Sequence, residues 1–192
     1  ANGLNVPEEP TFGGWGGRFS TYKAKNVRGM DFITRSGNNE SQYDPYCMYV
    51  SAAEGGEAIK RWQQEIWNDF AARMAWTTTS EYSAVNHHPT AIVDGHDDMN
   101  CIYKKVKAGR DMEFDASASY DPDGNPLDFR WEIYAEPSTY KGKVNMENGD
   151  SPKCRIHIPA EASGKSLHVI LSLTDRGTPA LTAYKRIVVQ VL

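Results

Sequence analysis

The sequence is poor in cysteine: Cys47, Cys101 and Cys154 are its only three, with no CxxC pair among them. That argues against a disulfide framework and a zinc ribbon, allows one bridge at most, and leaves the redox compartment open. No HExxH or Cys/His spacing marks a zinc site, GxSxG does not occur, and GGWGGR lacks the Lys-Ser/Thr ending of a phosphate-binding loop. No apolar run approaches the roughly 18–20 residues that span a bilayer. The opening ANGLNVPEEP has neither the basic start nor the apolar core of a signal peptide, so Ala1 reads as a mature N-terminus or as a cut inside a longer protein. An excess of one charge is missing too: 21 Lys and Arg against 25 Asp and Glu give a net charge of -4, with the signs interspersed. Nucleic acid and membrane are therefore set aside as partners.

What is present is a packed chain of 192 residues, 40% hydrophobic and 11% aromatic, enough for one large domain or two small ones. Its grammar changes near Asn86. Residues 1–55 are rich in Gly, Asn, Ser, Tyr and Pro without a sustained period, and read as ordered loop with a short strand around 28–34. The stretch 56–76, GEAIKRWQQEIWNDFAARMAW, then sets Ile59, Trp62, Ile66, Phe70 and Met74 three and four apart, the signature of one long amphipathic helix. Trp62, Trp67 and Phe70 are expected to be its core anchors. A helix behind a loop-like segment cannot bury its stripe alone, so it packs on the second half or belongs to a larger body.

From residue 85 the pattern is β throughout. Runs at 90–93, 102–106, 112–116, 127–134, 155–158, 167–174 and 184–192 are β-branched and aromatic, divided by Gly, Pro and Asp turns. Seven strands in about 100 residues predict an immunoglobulin-like β-sandwich, so the fold class is mainly β. Alternation places Met112, Phe114, Phe129, Trp131, Ile133, Ile156, Ile158, Leu167, Val169, Leu171 and Leu173 on inner faces.

Three groups of residues stand out. In TFGGWGGRF, four glycines in five positions would each cost a regular element roughly 0.5–1 kcal/mol, so the backbone there needs a positive φ or a close approach. Either Trp15 plugs a gap as the loop wraps back to receive the Trp62 helix, or the loop is shaped for a ligand. In a Greek-key sandwich, Asn86, Asp121, Asp123 and Asp175 fall at one pole, and hard oxygens of this kind suit Ca²⁺; the alternative is an Asp-rich turn needing no metal. His87 and His88 are adjacent and cannot both face one point from a strand, and His157 lies out of phase with Ile156 and Ile158.

FDASASYDPDGNPL followed by FRW, with LTDRGTPA before the last strand, resembles the PKD-like immunoglobulin modules of bacterial polysaccharide-degrading proteins. The ordered set TFGGWGGRF, RWQQEIWNDFAARMAW, NHHPTAIV and DASASYDPDGNPL resembles a bacterial family of cellulose-binding proteins, which carry a nucleoside-hydrolase-like N-terminal domain and an immunoglobulin-like C-terminal domain. The resemblance implies that residues 1–84 end the hydrolase-like domain and 85–192 form the sandwich. It also implies that the acidic metal and ribose motif lies upstream of Ala1, and that the protein is secreted or periplasmic. No catalytic residue is then assigned to this chain, and its parent is an N-glycosyl hydrolase by analogy. Trp15 would stack on a sugar ring, with Arg18 reaching a hydroxyl or carboxylate. Two functions follow. The sandwich is a structural or docking appendage whose partner is the upstream hydrolase-like domain, or it binds polysaccharide through exposed Tyr134, Tyr140 and Tyr184. Burial of those tyrosines favours the appendage.

Overall fold

The computed structural model describes residues 2–22 and 48–192; the strand expected around 28–34, and Cys47, lie outside them. Two strands, β1 (Phe19–Tyr22) and β2 (Met48–Ser51), form an antiparallel pair. Helices α1 (Glu57–Lys60) and α2 (Gln63–Trp76) follow. The rest of the regular structure is β: β3 (Ile102–Val106), β4 (Asp111–Asp115), β5 (Leu127–Ile133), β6 (Asn145–Glu147), β7 (Lys153–His157), β8 (Ser166–Asp175) and β9 (Thr182–Val191).

These strands make the two sheets of a sandwich, β3-β9-β8-β5 and β4-β7-β6, with β3 parallel to β9 and every other pair antiparallel. The period-2 pattern places the inner faces as expected: Phe114, Trp131, Ile156, Ile158, Leu167, Val169, Leu171 and Leu173 are buried in one cluster, and Met112, Phe129 and Ile133 pack against it. Phe114 stacks on Trp131 at 5.5 Å. The run at 90–93 makes only isolated bridges, Thr90 to Tyr120 and Val93 to His96, while the short β6 escaped the reading because three residues carry too little alternation. Cys101 and Cys154 are free thiols, and burial pushes that of Cys154 up to about 11.

The outer face of the larger sheet is covered as well. Register sets Ile170 of β8 opposite Arg186 of β9, with His168 opposite Val188 and Ser172 opposite Tyr184. Onto this face fold Leu4, Trp15, Trp62 and Ile66, giving a second core around Leu4, Trp62, Tyr134, Ile170 and Tyr184. The N-terminal segment is therefore a third layer, and both faces of β8 and β9 are buried.

The single long helix is a correction. It breaks at Arg61 and Trp62, where Trp62 leaves helical geometry (φ -107°). Both side chains there are drawn to the sheet: Trp62 meets Tyr134 and Tyr184 edge-on at 6.1 and 5.4 Å, and Arg61 lies over Tyr134 at 4.3 Å while pairing with Glu132 and Glu136. Of the three expected anchors only Trp62 is buried; Trp67 and Phe70 are 58% and 53% exposed.

Candidate functional site

The strap formed by residues 2–18 explains the glycines. Gly14 and Gly17 exchange both backbone hydrogen bonds (3.1 and 3.0 Å), closing a tight hairpin with Trp15 and Gly16 at its tip. Gly13 and Gly17 have φ of +76° and +93°, which L side chains rarely adopt. A Cβ on Gly13 would also stand 2.7 Å from the Tyr134 hydroxyl.

The hairpin is fastened by Arg186, a fully buried guanidinium with no carboxylate partner among the described residues. Its Nε donates to the Leu4 carbonyl and its Nη2 to the Gly13 carbonyl, both at 2.8 Å; its Nη1 donates to His168 Nδ1 at 3.1 Å. The rings of Phe12 and Tyr134 lie 5.7 and 5.4 Å from the charge. Burial lowers Arg186 to about 10, and burial together with the Arg186 charge drives His168 down to about 3, so the imidazole is neutral and accepts at Nδ1. Sequence reading passed over this clamp. Its signal was the pair Lys185-Arg186 inside an otherwise apolar strand, YKRIVVQVL. Lys185 is buried too, and its ammonium donates to the backbone and carboxylate of Asp98.

The candidate ligand residues of the sequence fall into place around this clamp. Trp15 donates its indole N–H to the Tyr184 hydroxyl (3.3 Å) and meets that ring edge-on. Arg18 reaches a carboxylate, but one of its own chain: Glu54, held by two bonds of 2.8 and 2.7 Å, which keep that carboxyl below its usual range. Tyr134 and Tyr184 are buried under the strap and cannot offer a sugar face; burial raises both phenols. Tyr140 packs against the sandwich core and donates to Glu161 at 3.3 Å. The three tyrosines form no exposed row.

Two clefts flank the strap. One, about 440 Å³, lies between Trp15, Tyr184, His88 and Asp97. Along its wall Asp69 accepts from Arg73 at 2.7 and 3.2 Å and pairs with His88 Nε2 at 2.9 Å. Burial lowers the His88 pKa, with the Arg73 charge adding to it, against the pull of Asp69. The other, about 430 Å³, is rimmed by Glu54, Glu57, Glu65, Glu132 and Glu136 around Arg61 and Arg130.

At the pole, the topology brings the four expected oxygen-bearing residues into one network. Asn86 Nδ2 donates to both Asp175 carboxylate oxygens (3.0 Å each) and to the Pro179 carbonyl (2.8 Å), while Asn125 donates to Asn86 Oδ1. Asp175 further accepts from the Gly177 and Leu181 amides, and Asp121 Oδ1 from those of Asp123 and Asn125. Asp123 accepts from the His87 amide and faces its Nδ1 at 3.0 Å. Asp121 Oδ2 is buried without a hydrogen-bond partner among the described residues. Among the described residues no group of three or more His, Cys, Asp or Glu is arranged to hold a metal. His87 and His88 diverge, one stacked between Tyr82 and Trp76, the other on Asp69.

Residues 111–191 match the model of the cellulose-binding protein Sde0182, C-terminal domain. Among solved structures, the whole chain is similar to a nucleoside hydrolase-related protein from Saccharophagus degradans that is associated with carbohydrate metabolism, at 42% identity and a TM-score of 0.85. The alignment covers 100% of this chain and 45% of that one, so the chain spans less than half of the relative's length. The PKD domain of the KIAA 1837 protein aligns over 47% of this chain and 80% of its own at 14% identity and a TM-score of 0.34. Human CDH23 EC21-23 aligns over 54% of this chain and 33% of its own at 14% identity and a TM-score of 0.39. A search of curated proteins finds no match.

Proposed function

We infer, from residues 111–191 being a domain of the Sde0182 C-terminal type, that this chain is the carbohydrate-associated accessory region of a longer nucleoside hydrolase-related protein, its sandwich serving as a structural and docking appendage. The observation that carries the reading is the second core. A free binding module keeps its aromatic platform in solvent, whereas here Tyr134 and Tyr184 are covered by Trp62, Trp15 and the Arg186-bound strap. The sandwich acts as a brace, holding the N-terminal segment in one conformation for the body that segment belongs to. In the longer protein, that body is proposed to supply N-glycosyl hydrolysis of a nucleoside-type substrate. A secreted or periplasmic location is part of the proposal and is tested by cell fractionation.

One observation favours glycan binding by this chain as a second reading: the cleft beside Trp15 has a volume of about 440 Å³, within the range of about 300–1,000 Å³ usual for small-molecule sites. Calorimetric titration with β-glucan oligosaccharides separates the two. The appendage reading expects no saturable heat; saturable heat that disappears in Trp15→Ala would establish the binding module.

A further inference from the structure

The turn of α2 about its own axis conflicts with its sequence. The side facing the sandwich is rich in polar contacts: Asn68 donates to the Ala180 carbonyl, Asp69 pairs with His88, and Trp76 Nε1 donates to the Asn86 carbonyl, with Ile66, the small Ala72 and the Trp76 ring as its apolar part. The apolar stripe points elsewhere. Trp67, Phe70 and Met74, three and four residues apart, share one side of α2 and are 58%, 53% and 48% exposed. Trp67 and Phe70 already pair edge-on at 6.3 Å, which preorganises them as one surface. Large aromatic side chains present about 150–250 Å² each, so these three residues leave roughly 300 Å² of apolar area, the size of the largest patch on a typical monomer, which is often functional.

We propose that this stripe is the docking surface for the hydrolase-related domain of the longer protein. The proposal rests on the accessory-region reading above and adds the surface and its occupant. Two facts select that occupant. The relative whose fold covers this whole chain extends well beyond it, with more than half of its length outside the match. The area also fits: a stable dimer of free chains buries about 800 Å² per partner, more than twice what the stripe offers, whereas domains joined in one chain hold together through interfaces from about 600 Å² in total, or about 300 Å² a side.

The test compares the 192-residue chain with the same chain joined behind the part of the S. degradans relative that lies outside the match. Acrylamide quenching of Trp67, isolated by replacing the other tryptophans with Phe where folding permits, is expected to fall several-fold in the joined protein. Trp67→Glu with Phe70→Glu is expected to lower the melting midpoint of the joined protein and leave that of the 192-residue chain unchanged. Equal quenching in both proteins would overturn the proposal. So would a concentration-dependent dimer of the chain that Trp67→Glu dissolves, which would make a second copy the occupant. If the joined protein does not fold, the part of the S. degradans relative outside the match, added as a separate chain to the 192-residue chain, decides: it must shield Trp67 from acrylamide, and unchanged quenching would refute the docking. Failure of the accessory-region reading looks different, as saturable glycan heat with Trp67 still shielded.

Discussion

Arg186→Ala removes the side chain that ties the strap to the sheet at two carbonyls, Leu4 and Gly13. The charge is fully buried and makes three hydrogen bonds, to the carbonyls of Leu4 and Gly13 and to His168 Nδ1. Truncation leaves those three acceptors without the donor and opens a void between Phe12 and Tyr134. Stranding three buried acceptors at about 1–3 kcal/mol each, less the relief of no longer burying an unpaired charge, gives an expected loss of about 3–5 kcal/mol. For a chain of this length each kcal/mol lowers the melting midpoint by about 2–4 °C, so the expected drop is about 6–20 °C. Arg186→Lys should recover little, because one ammonium cannot span two carbonyls and an imidazole. Urea unfolding followed by tryptophan fluorescence is the assay. The native chain should give one transition, and the Ala variant should show Trp15 and Trp62 released before Trp131. A loss below about 1 kcal/mol, the worth of an ordinary hydrogen bond, would refute the clamp.

Three further outcomes follow from the geometry. Because the pKa of His168 is about 3 when folded and its ordinary value is 6.5, the unfolded chain binds the extra proton between those pH values. Its contribution is thus complete above pH 6.5 and is lost as pH falls toward 3, with a slope of up to about 1.4 kcal/mol per pH unit that disappears in His168→Gln; pH-dependent urea melts measure it, and an unchanged slope in the variant would contradict it. Tyr184→Phe should cost about 0.5–1.5 kcal/mol in the same melts, the net worth of the acceptor it takes from Trp15 Nε1; a neutral variant would show that this bond is not made in solution. Calcium, proposed from the sequence for Asn86, Asp121, Asp123 and Asp175, should leave the melting midpoint unchanged, since N–H donors already face the Asp175 carboxylate. A saturating rise would show an ion replacing them.

The sandwich was legible because its signal is local: alternation along β4, β5, β7 and β8 states which side chains face the core, and the register follows. The pole was legible in part, since turn chemistry and strand order bring Asn86 to Asp175, but the choice between ion and amide needs the hydrogen-bond directions. The third layer was not legible. Gly13 and Trp15 lie 173 and 169 residues before their partners Arg186 and Tyr184, and nothing in the neighbourhood of either pair says that they meet. The helix was legible only in part, for a physical reason: periodicity reports an apolar face but neither the break at Trp62 nor what covers the face, and Trp67 and Phe70, expected as core anchors, are exposed. In the structure the sandwich takes the polar side of α2, and Trp67, Phe70 and Met74 remain uncovered.

Native-state hydrogen exchange of the 192-residue chain tests most directly whether the sandwich and the N-terminal segment are one braced unit. If they are, the amide of Tyr184, bonded to the Asn2 carbonyl, and the amides of Gly14, Gly17 and Ile66 should exchange only with the global unfolding of β8 and β9. Strap and helix amides exchanging several kcal/mol below the sheet, with β8 and β9 fully protected, would contradict the brace and leave the sandwich an independent module.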